Sequence, residues 1–140
     1  MELINLVRAA IFCAMAIAVG YSLMMVPNIE LITVTIFLSG LTLNAFWGAT
    51  VGFVAMGIYS GLNPLGSGLG FPPLFLAQLI SMSLCGVLGG FLKPFFVTNR
   101  YNISHLVLLG LSGFVVTLIY DVLTLISYPI FSGLGVVGVY

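Results

Sequence analysis

The chain has 140 residues, 61% of them hydrophobic and only 4% charged, with a mean hydropathy of +1.30. Three Lys+Arg balance three Asp+Glu, so the net charge is zero and nothing points to nucleic acid or to an acidic partner. Such a composition cannot clothe a water-soluble surface, and it predicts an all-α, polytopic integral membrane protein.

The first predicted span runs from about Asn5 to Val26, long enough at 1.5 Å per residue to cross a hydrocarbon layer of roughly 30 Å, and Pro27 ends it. Arg8 ahead of an apolar run imitates a signal peptide, but the run exceeds a typical h-region and every later segment is equally apolar, so it reads as a helix. Leu31 to Tyr59 reads either as one long helix or as a hairpin of two short spans, 31–43 and 46–59, turning at Asn44-Ala45. Charge selects the hairpin, which puts Arg8, Lys93 and Arg100 on one side with a cytoplasmic amino terminus, whereas one long helix would split them. Counted up to the turn, each arm is then about 14 or 15 residues, roughly 21 Å, and must tilt little or be shielded by neighbours.

The link "SGLNPLGSGLGFPP" (60–73) is expected to be non-helical and to lie outside the lipid or against protein. A fourth span covers Leu74 to Leu92, and the polar loop "KPFFVTNRYNIS" follows it. The fifth extends from His105 to Tyr128, closed by Pro129, and the apolar "IFSGLGVVGVY" reads as the start of a sixth span from 130. The expectation is one integral-membrane domain over 1–140, with five complete spans, a partial sixth and no soluble domain.

In that orientation the scarce polar residues gather in the outer half. Asn28 and Glu30 open the second span, Tyr59 and Asn63 leave the third, and Gln78 lies about one turn into the fourth. Thr117, Asp121, Thr124 and Tyr128 follow one another at spacings of four, three and four, which draws one polar stripe along the fifth helix. A carboxylate inside a bilayer costs a few kcal/mol, so Asp121 is expected to be buried, either in a binding site or in a structural hydrogen bond to Tyr or Gln of a neighbouring helix. Glu30 also reads simply as a helix-start residue, with Asn28 as its cap. Convergence from four helices favours a binding cavity, in which Tyr59 and Tyr128 would offer ring faces to a flat heterocycle.

Small residues make two further patterns. Ala10, Ala14 and Ala18 form a stripe on the first helix suited to a partner helix, while Gly48 and Gly52 on the third suit packing within the chain. Cys13 and Cys85 sit in apolar stretches without metal or disulfide spacing and read as packing residues. Neither a metal nor a cofactor is expected.

The Ala-xxx-Ala-xxx-Ala first helix, "PNIELIT", "WGATVGFVAMGIYSGLNPLG", "PPLFLAQ" and "TLIYDVLT" together resemble the S component of energy-coupling-factor (ECF) transporters over essentially the whole chain. The resemblance implies a six-helix membrane subunit in a prokaryotic plasma membrane. Such a subunit captures a vitamin or related micronutrient from outside and works with a T component and two ATPases. It further implies that Ala10, Ala14 and Ala18 contact the T component and that the loop from Pro27 to Glu30 gates the pocket. The chain departs from the family in its incomplete sixth helix. It also lacks the histidine near the amino terminus on which the nickel and cobalt members rely, so a transition-metal substrate is not expected.

Two other readings compete. A scaffolding membrane protein would use the outer polar groups only to satisfy one another. An intramembrane serine protease is suggested by "GLSG" (110–113), but its base would have to be His105, seven residues before Ser112 on the same helix and roughly 10 Å away along the axis. That geometry fails, and no enzymatic activity is expected.

Overall fold

The computed structural model describes residues 2–25, 31–64, 68–96 and 103–132, with the side chains of Glu2, Leu106, Leu109 and 127–132 excepted. The described residues form five α-helices: α1 (Glu2–Leu23), α2 (Leu31–Thr42), α3 (Ala45–Gly61), α4 (Pro72–Phe96) and α5 (Ile103–Ser132), with a short 3-10 turn at Gly68–Gly70. Three of them, over Leu3–Leu23, Pro72–Phe96 and Ile103–Ile126, are long and apolar enough to cross a membrane. At 12 and 17 residues, α2 and α3 are shorter.

Between Leu31 and Gly61 the helix breaks at Leu43 and Asn44. Asn44 is fully extended and its Oδ1 accepts the N–H of Trp47 at 2.9 Å, satisfying one of the donors that a helix start leaves orphaned. The carbonyls at the end of α2 are closed from outside the hairpin. Lys93 of α4 donates from Nζ to Thr42 O at 2.9 Å and to Leu43 O at 2.6 Å, placing a cation on the negative end of the α2 dipole.

The centre of the molecule is the contact of α4 with α2 and α3, and it is built from glycine. A Cβ on Gly48 would strike the carbonyl of Gly86, and one on Gly86 would strike the carbonyl of Gly48. Gly40 meets that same Gly86 carbonyl, Gly52 meets the Met82 carbonyl and Gly89 the Phe37 carbonyl. With backbone facing backbone, no side chain fits, and the helices approach as closely as their main chains allow. Gly48 and Gly52 therefore pack inside the chain. Around this seam Ile36, Val51, Met82 and Cys85 are fully buried. Polar groups in it close locally: Ser39 donates to Ile36 O at 2.6 Å, and the Cys85 thiol to Thr33 O at 3.6 Å.

The outer helices are attached more lightly. Helix α1 lies against α2 and α3, and α5 against α4. The buried apolar residues they supply are Ala9 and Ala16 from α1 and Val116 from α5. Their other faces carry large exposed apolar side chains, with Leu3, Ile103 and Leu125 each more than two-thirds exposed. Surfaces of this kind suit lipid or protein rather than water.

Several expected boundaries shift. Helix α1 starts at Glu2 and ends at Leu23 rather than Val26, and Pro27 lies outside the described residues. The link 60–73 is not uniformly non-helical: Ser60 and Gly61 finish α3, Gly68–Gly70 makes a 3-10 turn, and Pro72 and Pro73 open α4. Proline is well placed there, because a first helical turn has no use for its missing N–H. Helix α4 continues past Leu92 to Phe96, with Pro94 in its last turn. Helix α5 runs through Pro129 to Ser132, since one lost N–H does not end a helix whose surroundings offer the backbone no other partner. Residues 130–132 thus belong to α5 and do not begin a sixth span, and 133–140 lie outside the described residues.

Candidate functional site

One end of the bundle, where α1 and α3 finish and α4 begins, gathers polar and aromatic side chains from three helices. Tyr21 reaches from the last turn of α1 to the last turn of α3, donating its hydroxyl to Tyr59 O at 3.3 Å and Ile58 O at 3.4 Å. The Ile58 carbonyl also accepts the Leu62 N–H at 3.0 Å, so the tyrosine hydroxyl meets the last turn where intrahelical bonding is running out. The rings of Tyr21 and Tyr59 lie 5.1 Å apart and are inclined by 50°. Gly20 allows this, since a Cβ there would come within 3.0 Å of the Tyr59 ring.

One residue on, buried Ser60 donates to Gln78 Oε1 of α4 at 2.6 Å. That short bond fixes the Gln78 carboxamide and directs its oxygen inward, leaving its two N–H donors for another partner. Gly68 completes the wall, because a Cβ at that position would collide with Ser60 Oγ and press on the Phe75 ring. Asn63 follows α3 at this same end and is half-buried.

The expected residues divide into three groups. Tyr59, Asn63 and Gln78 lie at one end of the bundle as the sequence suggested, and Tyr21 and Ser60 join them although periodicity had not singled them out. Asn28 and Glu30 lie outside the described residues, as does the side chain of Tyr128. The α5 stripe is the correction. Asp121 is exposed rather than buried, Thr117 is exposed, and Thr124 is half-buried. Thr117 donates to Gly113 O at 3.0 Å, and Thr124 to Tyr120 O at 2.9 Å and Asp121 O at 3.1 Å, so both hydroxyls are bonded within their own helix. Among the described side chains the cluster therefore draws on α1, α3 and α4.

Apolar clefts lined by described residues flank the bundle. One of about 230 Å³ opens between α2 and α5, lined by Thr33, Val34, Phe37, Leu38, Gly113, Val116 and Thr117. Another, about 160 Å³, lies between α1 and α3 and includes Ala10 and Trp47 in its lining. Ala10, Ala14 and Ala18 are all exposed and run along the face of α1 turned away from buried Ala9 and Ala16. On α5, Gly110 and Gly113 face open space, and His105 precedes Ser112 on the same helix. Among the described residues no three His, Cys, Asp or Glu side chains cluster closely enough to hold a metal ion.

Comparison of the chain with protein-family models, with curated proteins and with solved structures finds no match.

Proposed function

We propose that the chain is the substrate-binding membrane subunit of an ECF-type importer, an S component that takes up a small, flat, vitamin-like molecule from outside a prokaryotic plasma membrane. The observation that carries this reading is the meeting of Tyr21, Tyr59, Ser60 and Gln78 at one end of the helices. Tyrosine rings beside an oriented carboxamide are the kind of surface that stacks on a heterocycle and hydrogen-bonds its edge. The motif resemblance supplies the rest of the proposal: five complete spans and a cytoplasmic amino terminus, a T component that contacts Ala10, Ala14 and Ala18, and two ATPases that provide the energy. Substrate contact is assigned to Tyr59, Asn63 and Gln78, with Tyr21 and Ser60 holding them in place. Asp121, on the exposed flank of α5, is left out.

A scaffolding role is the competing reading. In its favour, the Tyr21 and Ser60 hydroxyls are already bonded to protein groups. The two readings separate on purification from native membranes. The importer reading expects a small molecule identifiable by mass spectrometry, T-component and ATPase chains in the same complex, and saturable binding of one member of a panel of ring-shaped vitamins. Gln78→Ala should weaken that binding by about tenfold, the worth of one well-made polar contact. A clean apo protein that binds no member of the panel supports the scaffold.

A further inference from the structure

Helix α5 presents a polar group that the described residues leave without a partner. The Asp121 carboxylate is exposed and has neither a hydrogen-bond nor an ion-pair partner among the described residues, while exposed Leu118, Val122 and Leu125 surround it on the same helix. It is not at a helix end. Asp121 stands about 27 Å along the axis from Ile103, and about three further turns lead to Ser132. Aspartate is too short to reach a distant membrane surface as lysine and arginine do. The threonines of the stripe are satisfied by their own helix, so the carboxylate is the group that stands out.

The charges of the chain narrow what can meet it. Its three cations are Arg8, Lys93 and Arg100. Lys93 is committed to the end of α2, and Arg8 sits in the first two turns of α1. Arg100 precedes α5 by three residues, so even folded back along the helix it falls about 10 Å short of Asp121. A second copy in the same orientation brings no cation to that depth either.

We propose that the Asp121 face of α5 is a docking surface for a transmembrane helix of a different protein, one that carries a Lys or Arg at matching depth. Charge complementarity names the occupant: a carboxylate in an apolar layer is stabilised most by a hydrogen-bonded cation. The inference rests on α5 crossing the membrane and is independent of the cargo.

The test uses the full chain in phosphatidylcholine vesicles and a synthetic Leu/Ala transmembrane helix with a single Lys in its outer half, association being read by fluorescence energy transfer. Matched helices carry Leu at that position, or Lys in the inner half. The outer-Lys helix is expected to associate at about a tenfold lower helix-to-lipid ratio than either control, with the preference abolished by Asp121→Leu and reduced by Asp121→Asn. Equal association of all three helices overturns the proposal, as does a preference that survives Asp121→Leu. Transfer between copies of the chain that depends on Asp121 overturns it in favour of self-pairing. Labelling of Phe114→Cys by an impermeant maleimide would instead show that α5 does not span the membrane, and the underlying reading would fail first.

Discussion

The α2–α3–α4 seam and α5 solve the problem of an apolar environment in opposite ways. At the seam, side chains are removed: Gly40, Gly48, Gly52, Gly86 and Gly89 bring main chains together, and Ser39, Thr33 and Cys85 find partners within it. On α5 the described side chains are large, mostly exposed and few of them inward, and one of them is a carboxylate with no partner among the described residues. In lipid no hydrophobic force gathers helices, so close packing and satisfied polar groups decide which helices stay together. By that measure α2, α3 and α4 form the closely packed part of the molecule, while α5 turns most of its side chains outward.

The comparison breaks most readily at its strongest point. Gly86→Leu forces a side chain into the Gly48 and Gly40 backbones and should destabilise the bundle by about 3 kcal/mol or more, seen as unfolding at a lower SDS fraction. A wild-type unfolding curve would mean that the seam is not a close backbone contact. On α5 the largest effect has the opposite sign. Asp121→Leu should favour insertion of that helix by about 3 kcal/mol in a translocon assay, and an unchanged insertion efficiency would mean that Asp121 never enters the hydrocarbon layer. Lys93→Met removes the two bonds that close α2 and should cost about 1.5 kcal/mol, whereas Lys93→Arg, which keeps the charge, should cost less. Asn44→Ala deletes the cap of α3 and is expected to cost about 1 kcal/mol in the same unfolding measurement.

How much of this was legible in the sequence follows from which signals are local. The hairpin turn could be placed at Asn44-Ala45 because charge counting needs no structure, whereas the cap that Asn44 makes on Trp47 emerges only in the fold. The packing of Gly48 and Gly52 could be anticipated from their spacing, but their partners Gly86 and Met82 could not, since contact between helices far apart in sequence leaves no periodic mark. Tyr59 and Gln78 stood out as polar residues in apolar runs. Tyr21 and Ser60 did not, because a tyrosine near a helix end is an ordinary interfacial residue and a serine bonds equally well to its own helix. For Asp121, the cost of an intramembrane carboxylate argues that something must cover it, but helical spacing shows only that residues share a face and not what that face meets. Pro72 begins its helix rather than preceding it, and Pro129 does not end its helix, because the missing N–H is tolerated at both positions.

The smallest predicted effect is the sharpest control on the contrast. Gly110 and Gly113 on α5 have open space where a Cβ would go, so Gly113→Ala meets no atom within 4 Å, and alanine is the better helix former by about 1 kcal/mol. The substitution should leave stability unchanged or raise it by up to about 1 kcal/mol, against the large loss expected for the same class of residue at Gly86. If Gly113→Ala destabilised the purified chain as Gly86→Leu does, α5 would have to pack far more tightly than its exposed face implies, and the division into a glycine seam and an outward helix would collapse. If instead Gly113→Ala is silent in isolated protein but costs about 1 kcal/mol once a Lys-bearing helix is bound, the added methyl has met that helix. The glycine would then belong to the docking face that Asp121 marks, two turns further along α5.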